Sequence, residues 1–393
     1  MSHDPVVIVA ARRTPMGAFQ GALGSVSATE LSATSCRAAL QDSGLTGGDI
    51  NEVLLGCVLP AGLGQAPARQ AALAAGIPQA VPCTTVNKVC GSGMKTTMLG
   101  HDLIQAGSAH IVLAGGMESM SNAPYLLPNA RSGYRMGHQQ ILDHMFFDGL
   151  QNPYDGNMMG HFAEVTAQKY GFSREDQDAF AIASVTRART AAKNGSFVGE
   201  IAPVTVSSRK GDFVIAEDEG PNVAKIDKIP GLRPAFAKDG TVTAASSSSI
   251  SDGAASLILM RESDARTRGV SPLATIAGHS SFAHEPEWFT TAPVFAIRAL
   301  HEKLGWDATS TDLYEINEAF ACVTMAAMRD VGIDHNKVNV NGGACALGHP
   351  IGASGARIIV TLLHALKNRG GGKGIASLCI GGGEAVAIGI EVK

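Results

Sequence analysis

The sequence predicts an α/β protein built from two similar halves, with a long insertion in the first. Strand and helix signals alternate over residues 5–119 and again over residues 273–392. The two series run in the same order with similar lengths, and between them residues 120–249 lose the alternation. Alternation of this kind predicts βαβ units and a mostly parallel, buried sheet. A repeated order of elements predicts internal duplication, here carried by pattern and not by residue identity. The 393 residues are 45% hydrophobic and only 5% aromatic, with 46 glycines, so the chain can bury large cores and makes many tight turns between short elements.

In the first series, Pro5–Ala10 reads as a strand and Ser27–Gly44 as a helix with Leu31, Ala39 and Leu40 on one face. Glu52–Leu59 reads as a strand, and Pro67–Gly76 as an Ala-rich helix. Val81–Val86 is β-type and leads through Asn-Lys-Val-Cys90-Gly-Ser-Gly-Met94 into a helix that closes at Gly107. Ile111–Ala114 is a strand followed by Gly115-Gly116. The second series repeats this order: strand Leu273–Ala277, helix Ala292–Leu304 stopped by Gly305, strand Leu313–Ile316, helix Ala321–Asp330, strand Val338–Val340, helix Arg357–Lys367, and strands Gly374–Leu378 and Ala385–Val392. In that register the Cys90 elbow matches the loop around His349, and Ala114-Gly-Gly matches Cys379-Ile-Gly-Gly.

The insertion holds one clear helix, from Ser173 with Asp176 three residues on as a capping-box pair, to Lys193 before Gly195. A segment this long reads as a lid or interaction region. Ser256–Met260 reads as a strand returning to the first half. The Ser-rich stretch Thr241–Gly253 reads either as a flexible linker or as small residues lying against a ligand.

Composition narrows the function. Net charge is −4, and no basic or aromatic-interleaved patch argues for nucleic acid. No run of about 18 apolar residues argues for a membrane span. Met1–Asp4 leads straight into Val6-Val7-Ile8-Val9 without a secretory pattern, so a cytoplasmic protein is expected. The seven cysteines are odd in number, and none are spaced Cys-x-x-Cys, which argues against a disulfide framework or structural zinc. Cys36, Cys57, Cys83, Cys322 and Cys345 read as packing.

Four glycine-bordered stretches carry reactive side chains at or just beyond strand ends: Cys90, Asn317, His349 and Cys379. Ligands of parallel α/β sheets bind at the carboxyl ends of strands, so all four can converge. A cysteine near a histidine is the nucleophile–base pair of covalent catalysis. A helix N-terminus beyond Cys90 favours thiolate and offers N–H donors. A second thiol exceeds what a cysteine protease needs; it suggests that one sulfur carries an acyl group while the other moves a proton. Backbone N–H groups of Cys90 and of Gly381–Gly383 can hold oxyanions. A phosphate loop is the rival reading of the glycine run, and no Gly-Lys-Ser/Thr follows it.

Val86–Met94, Asn317-Glu-Ala-Phe320, Asn339–Gly355 with its Gly348-His-Pro, and Cys379-Ile-Gly-Gly-Gly resemble the signature loops of the thiolase family, and the resemblance covers essentially the whole chain. Within the family the pattern is most similar to the acetyl-CoA acetyltransferases. The resemblance implies a five-layered αβαβα fold, with residues 1–119 and 250–269 as one half, 120–249 as an inserted loop domain and 270–393 as the other half. It implies that Cys90 takes the acetyl group, that His349 deprotonates it, and that Cys379 moves the α-proton. His349 and a water held by Asn317 would hold one thioester oxygen, and the N–H groups of Cys90 and Gly381 the other. Ser248 would contact the pantetheine arm of CoA, with Leu150, Met158, Met159, Phe236, Ala244, Phe289, Ala319 and Phe320 around the substrate. Acetyl-CoA, acetoacetyl-CoA and CoA are the implied partners, with no metal or redox cofactor. A homodimer or homotetramer is implied, joined in part through the region of Met120–Asp143. The alternatives are a 3-ketoacyl-CoA thiolase of longer chain length and, more distantly, a ketoacyl synthase. Met158-Met159-Gly160 stands where the short-chain enzymes have His-Met-Gly, and Glu384-Ala385 where a Gly-containing pair is usual.

Overall fold

The computed structural model describes residues 4–209 and 211–393; the Met1–His3 end of the first half lies outside the described residues. Nine principal strands form one hydrogen-bonded sheet path. The first half contributes β1 (Val6–Arg13), β2 (Glu52–Gly56), β3 (Cys83–Val86), β4 (Ile111–Ser119) and β5 (Ser251–Arg261). The second contributes β6 (Ala274–Ala283), β7 (Leu313–Ile316), β8 (Gly372–Ile380) and β9 (Glu384–Val392). The order along the path is β7-β8-β9-β6-β1-β5-β4-β2-β3. Each half thus runs outward in the same sense: β1-β5-β4-β2-β3 in one and β6-β9-β8-β7 in the other. Val338 pairs with Tyr314 at the place of β3.

The halves meet through the pairs Val7↔Thr275 and Ile8↔Ala274 of β1 and β6. From that seam the two sheet portions lie on either side of α3 (Ser92–Gln105) and α8 (Ser354–Lys367), which pack on each other and touch strands of both halves. Outside the first portion lie α1 (Ala28–Ser43) and α2 (Pro67–Ala74); outside the second lie α6 (Ala292–Leu304) and α7 (Ala321–Val331). These are the five layers. Three apolar cores separate them, one between the sheet portions and one beneath each outer helix layer. Helix α8 is buried from Ser354 to Leu366, as a helix apolar on all sides must be. Its buried cation, Arg357, pairs with buried Glu315 at 2.8 Å.

Local signals act as read. Ser27 and Glu30 close a capping box on α1, and Gly44 ends it at φ 69°. Ser173 and Asp176 do the same for α5 (Arg174–Lys193), which follows α4 (Met159–Tyr170) in the insertion. Three expectations need correction. The sheet is mixed: only β2–β3, β2–β4 and β7–β8 are parallel. The reason for β8–β9 is that Gly381–Gly383 is a three-residue hairpin turn, with φ 96° at Gly382 and 90° at Gly383, and so short a link joins only antiparallel neighbours. Gly115 and Gly116 lie inside β4, where a Cβ on Gly116 would strike the Gly352 carbonyl; the bare backbone lets the second half approach. Val338–Val340 is not a strand. Asn339 sits at φ 46°, and its side chain bonds both the N–H and the C=O of Ile316 at 2.8 Å, replacing ladder contacts.

The repeat register shifts as well. The last ladder pairs, Ser119↔Asp252 and Ile380↔Glu384, make Cys379 the repeat equivalent of Glu118 and not of Ala114. Cys90 and His349 do occupy matching links, each leading into a central helix.

Candidate active site

The Cys90 elbow is held by its own side chains. Asn87 Oδ1 accepts from Val89 N–H at 2.9 Å; Ser92 Oγ accepts from Lys88 N–H at 2.9 Å and donates to Val89 O at 2.7 Å. These bonds hold Val89 at φ 45°, a left-handed conformation costly for a β-branched residue. A Cβ on Gly91 would strike Ile380, so the two halves meet closely here. Lys88 Nζ pairs with Glu384 Oε2 across the same gap, which gives the unusual glutamate a structural task. The result brings the backbone N–H groups of Gly381 and of Cys90 itself near Cys90 Sγ, where they favour thiolate. Burial still outweighs them and pushes the thiol up to about 11.

His349 enters from the loop before α8. Its Nδ1 lies 2.6 Å from Ser354 Oγ, whose own proton goes to Pro350 O at 2.9 Å. Ser354 therefore accepts, and the neutral ring carries its proton on Nδ1. That leaves Nε2 as a lone pair, 3.5 Å from Asn317 Nδ2. Burial, with the charge of Arg357 behind it, lowers His349 to about 3, so the ring is neutral at rest. Asn317 is anchored by its N–H to Ser377 O at 3.0 Å, and among the described residues its buried Oδ1 has no hydrogen-bond partner.

Cys379 is the penultimate residue of β8, buried against Cys90 and Cys322. Burial first, then the neighbouring Cys90, pushes its thiol far up. In the resting site both sulfurs are protonated and the histidine is not.

These groups adjoin an apolar cavity of about 200 Å3. Cys90, His349 and Gly381 reach its wall; Asn317 and Cys379 lie behind it. Leu150, Met158, Met159, Phe236, Ser248, Phe289, Ala319 and Phe320 all line it. Ala244 does not: it is exposed on the turn before Ser246, where the Thr243 and Ser246 side chains bond the local backbone. The Ser-rich stretch is an ordered wall. Ser248 N–H bonds Ala319 O at 3.0 Å and Ala321 N–H bonds Ser246 O at 2.8 Å, which fastens it to the Asn317–Phe320 loop.

Sequence reading missed several wall residues, among them Met120, Phe146, Ser247, Ser249 and Ile351. Ile351 and the two serines adjoin residues already singled out, so neighbourhood was the available signal. Gly160 was missed too, although its Cβ would strike the Phe236 ring; the glycine makes room for that aromatic wall. Two positioning groups also escaped. One is Ser354. The other is Glu118, whose buried carboxyl accepts from Val58, Leu59 and Gly352 N–H at 3.0, 3.1 and 2.9 Å and ties the His349 loop to the end of β2. Burial raises it to about 7 against the pull of those donors.

A duplicated five-layer α/β fold with a partly buried cysteine, a neutral histidine and a second, buried cysteine beside an apolar cavity defines a two-thiol acyl-transfer architecture. Comparison with known proteins agrees. Residues 6–263 match the family model described as thiolase, N-terminal domain, and residues 270–392 that of thiolase, C-terminal domain. An acetyl-CoA acetyltransferase of Pseudomonas aeruginosa is 49% identical over 385 residues, covering 98% of each chain. One from Chromobacterium violaceum is 50% identical over 388 residues, 98% of this chain and 99% of that one. A probable acetyl-CoA acyltransferase of Staphylococcus aureus is 48% identical, covering 97% of this chain and 98% of that one. The crystal structure of Acat5 thiolase from Ascaris suum in complex with coenzyme A superposes with a TM-score of 0.94 at 43% identity, over 99% of this chain and 100% of that one. The chain belongs to the thiolase family.

Proposed function

We infer that this chain is an acetyl-CoA C-acetyltransferase, joining two acetyl-CoA into acetoacetyl-CoA and CoA or running the thiolysis in reverse. The observation that carries the reading is the proton arrangement at rest: a Cys90 thiol under two N–H donors, a His349 with its lone pair on Nε2, and a second protonated thiol at Cys379.

Each proton has a destination. His349 Nε2 takes the Cys90 proton as the sulfur attacks the acetyl carbonyl. The tetrahedral oxyanion lies under the N–H groups of Cys90 and Gly381; such donors are worth about 2.7–4 kcal/mol each. The CoA sulfur leaves with the proton of Cys379. The site then holds acetyl-Cys90, an imidazolium and a Cys379 thiolate, with CoA released neutral. A second acetyl-CoA gives its α-proton to Cys379, while His349 Nε2–H and the Asn317 amide, directly or through water, hold the enolate oxygen. The enolate carbon attacks acetyl-Cys90, and the expelled sulfur regains its proton from His349. The starting state returns, and acyl fixation on Cys90 makes the carbon–carbon step effectively intramolecular.

The aromatic and methionine walls support short acyl chains: Phe289, Phe236 and Phe320 all stand in the wall of a cavity of about 200 Å3. Met158, in place of a polar residue, favours an apolar extension and is the one observation on the side of a longer-chain 3-ketoacyl-CoA thiolase. Self-association is supported by the insertion, where Tyr125, Met136 and Ile141 are 68%, 92% and 62% exposed. No described helix is long and apolar enough to cross a membrane; a cytoplasmic location remains part of this proposal. Thiolysis of 3-ketoacyl-CoA from four to ten carbons tests the substrate. Highest kcat/KM at four carbons supports the reading, and a maximum at eight or ten replaces it with the longer-chain one.

A further inference from the structure

Away from the cavity, at the seam between the halves, two imidazoles converge on one carboxylate oxygen. His101 and Asp102 lie near the C-terminal end of α3; His279 projects from β6 of the other half. His101 Nδ1 is 3.1 Å and His279 Nε2 is 2.9 Å from Asp102 Oδ1, and the three atoms all lie within 4.8 Å of one another. The rings stand at 89° with centroids 5.1 Å apart, so neither blocks the other's nitrogen. The histidine side chains are only 16% and 14% exposed while the aspartate is 52% exposed, which leaves the cluster closed on the protein side and open to solvent on one.

We propose that His101, Asp102 and His279 form a binding site for a divalent transition-metal ion of the zinc class, with water completing the coordination. Two imidazole nitrogens and one carboxylate oxygen suit zinc, copper or nickel, whereas calcium and magnesium require mostly oxygen donors. Zinc with nitrogen ligands at about 2.0–2.1 Å in tetrahedral geometry needs donor atoms roughly 3.3 Å apart. The existing separations require shifts of an ångström or so from side chains that have one open face. The protons balance without an outside base. The two nitrogens now donate to Oδ1, and a change of tautomer moves each proton to the opposite ring nitrogen as the metal takes the lone pair. The opposing charge is Lys303, whose Nζ bonds the His279 carbonyl at 3.1 Å and faces the backbone side. Because the ligands come from both halves, an ion here clamps α3, the helix that begins just past Cys90, to the second half. None of the three residues takes part in the acyl-transfer steps.

The test is calorimetric titration of zinc chloride into the tag-free, chelator-treated full chain, compared with Asp102→Asn and with His101→Ala/His279→Ala. Cys90→Ala serves as background in all of them, to remove the reactive thiol. The expected result is one saturable equivalent whose affinity falls at least about tenfold in Asp102→Asn and is lost in the double variant. Copper(II) bound to the same protein should show electron-spin coupling to two nitrogens, reduced to one in His279→Ala. Asp102→Asn keeps the side-chain shape, so a folded variant is available even if the double variant unfolds. Unchanged isotherms in folded Asp102→Asn and unchanged nitrogen coupling in His279→Ala overturn the proposal, as does the absence of saturable binding to the parent chain.

Discussion

Ser354→Ala is the perturbation that asks most of the site, because Ser354 never touches substrate. Its hydroxyl accepts from His349 Nδ1 at 2.6 Å and donates to Pro350 O at 2.9 Å, with no solvent exposure. Alanine leaves two outcomes. If the ring keeps its proton on Nδ1, a buried donor loses its partner, at about 1–3 kcal/mol. If the proton moves to Nε2, the lone pair turns away from Cys90 and the base is lost. The penalty is larger for the imidazolium formed during acyl transfer, since hydrogen bonds to charged groups contribute about 1.5–3 kcal/mol. A barrier raised by that amount slows acetylation of Cys90 roughly 10- to 150-fold. Alanine is a good residue at the start of α8, so the fold should survive. The assay is single-turnover CoA release from acetyl-CoA at fixed pH, with thermal melting as the check on folding. A folded variant that acetylates within twofold of the parent refutes the tautomer argument. So does a change confined to KM.

With Cys90 pushed up to about 11 and His349 down to about 3, thiol and neutral imidazole coexist across the neutral range, so alkylation of Cys90 by iodoacetamide should rise about tenfold per pH unit and level only near pH 11. A plateau from about pH 5 to 9 would instead reveal a thiolate–imidazolium pair at rest. Glu118→Gln sets an amide donor against the Leu59 N–H or the Gly352 N–H, and should cost about 1–3 kcal/mol in denaturant unfolding and slow both half-reactions. The same carboxyl, raised from 4.5 to about 7, holds its proton longer when folded than when unfolded. Its contribution is therefore complete below about pH 4.5 and lost as pH rises to 7, a slope the Gln variant should lack in chemical-denaturation midpoints. Met158→His should shift the ratio of four-carbon to six-carbon thiolysis toward four; an unchanged ratio would remove Met158 from chain-length control.

The parts legible in the sequence were those carried by local chemistry. Caps at Ser27 and Ser173, stops at Gly44 and Gly305, and glycines beside Cys90, His349 and Cys379 act within a few residues of themselves. Strand direction was not legible, because it is set by what a connection can span: a three-glycine turn forces β8 and β9 antiparallel, while β5 arrives only after the insertion. The glycines of β4 looked like the end of the strand because the atoms they make room for, the Ala255 carbonyl for Gly115 and the Gly352 carbonyl for Gly116, lie far away in the sequence. Glu118 and Ser354 stayed invisible for a related reason. A carboxylate or hydroxyl that positions another group has no motif of its own, and its partners appear only when the halves close. Ala244 lies outside the cavity wall, since a run of small residues does not say which of them faces the cavity.

The division of labour between the two sulfurs is most directly tested by measuring both half-reactions in Cys379→Ser. Acetylation of Cys90 from labelled acetyl-CoA and exchange of the α-protons of acetyl-CoA with deuterated solvent are followed in the same preparation. The serine hydroxyl is a far poorer proton donor and base than the thiol, yet it leaves the Cys90 elbow intact. The arrangement predicts an acetyl-enzyme that still forms, more slowly because CoA must leave without the Cys379 proton, and a far larger loss, by several orders of magnitude, of α-proton exchange and condensation. Equal loss of acetylation and exchange, or exchange that survives, contradicts it.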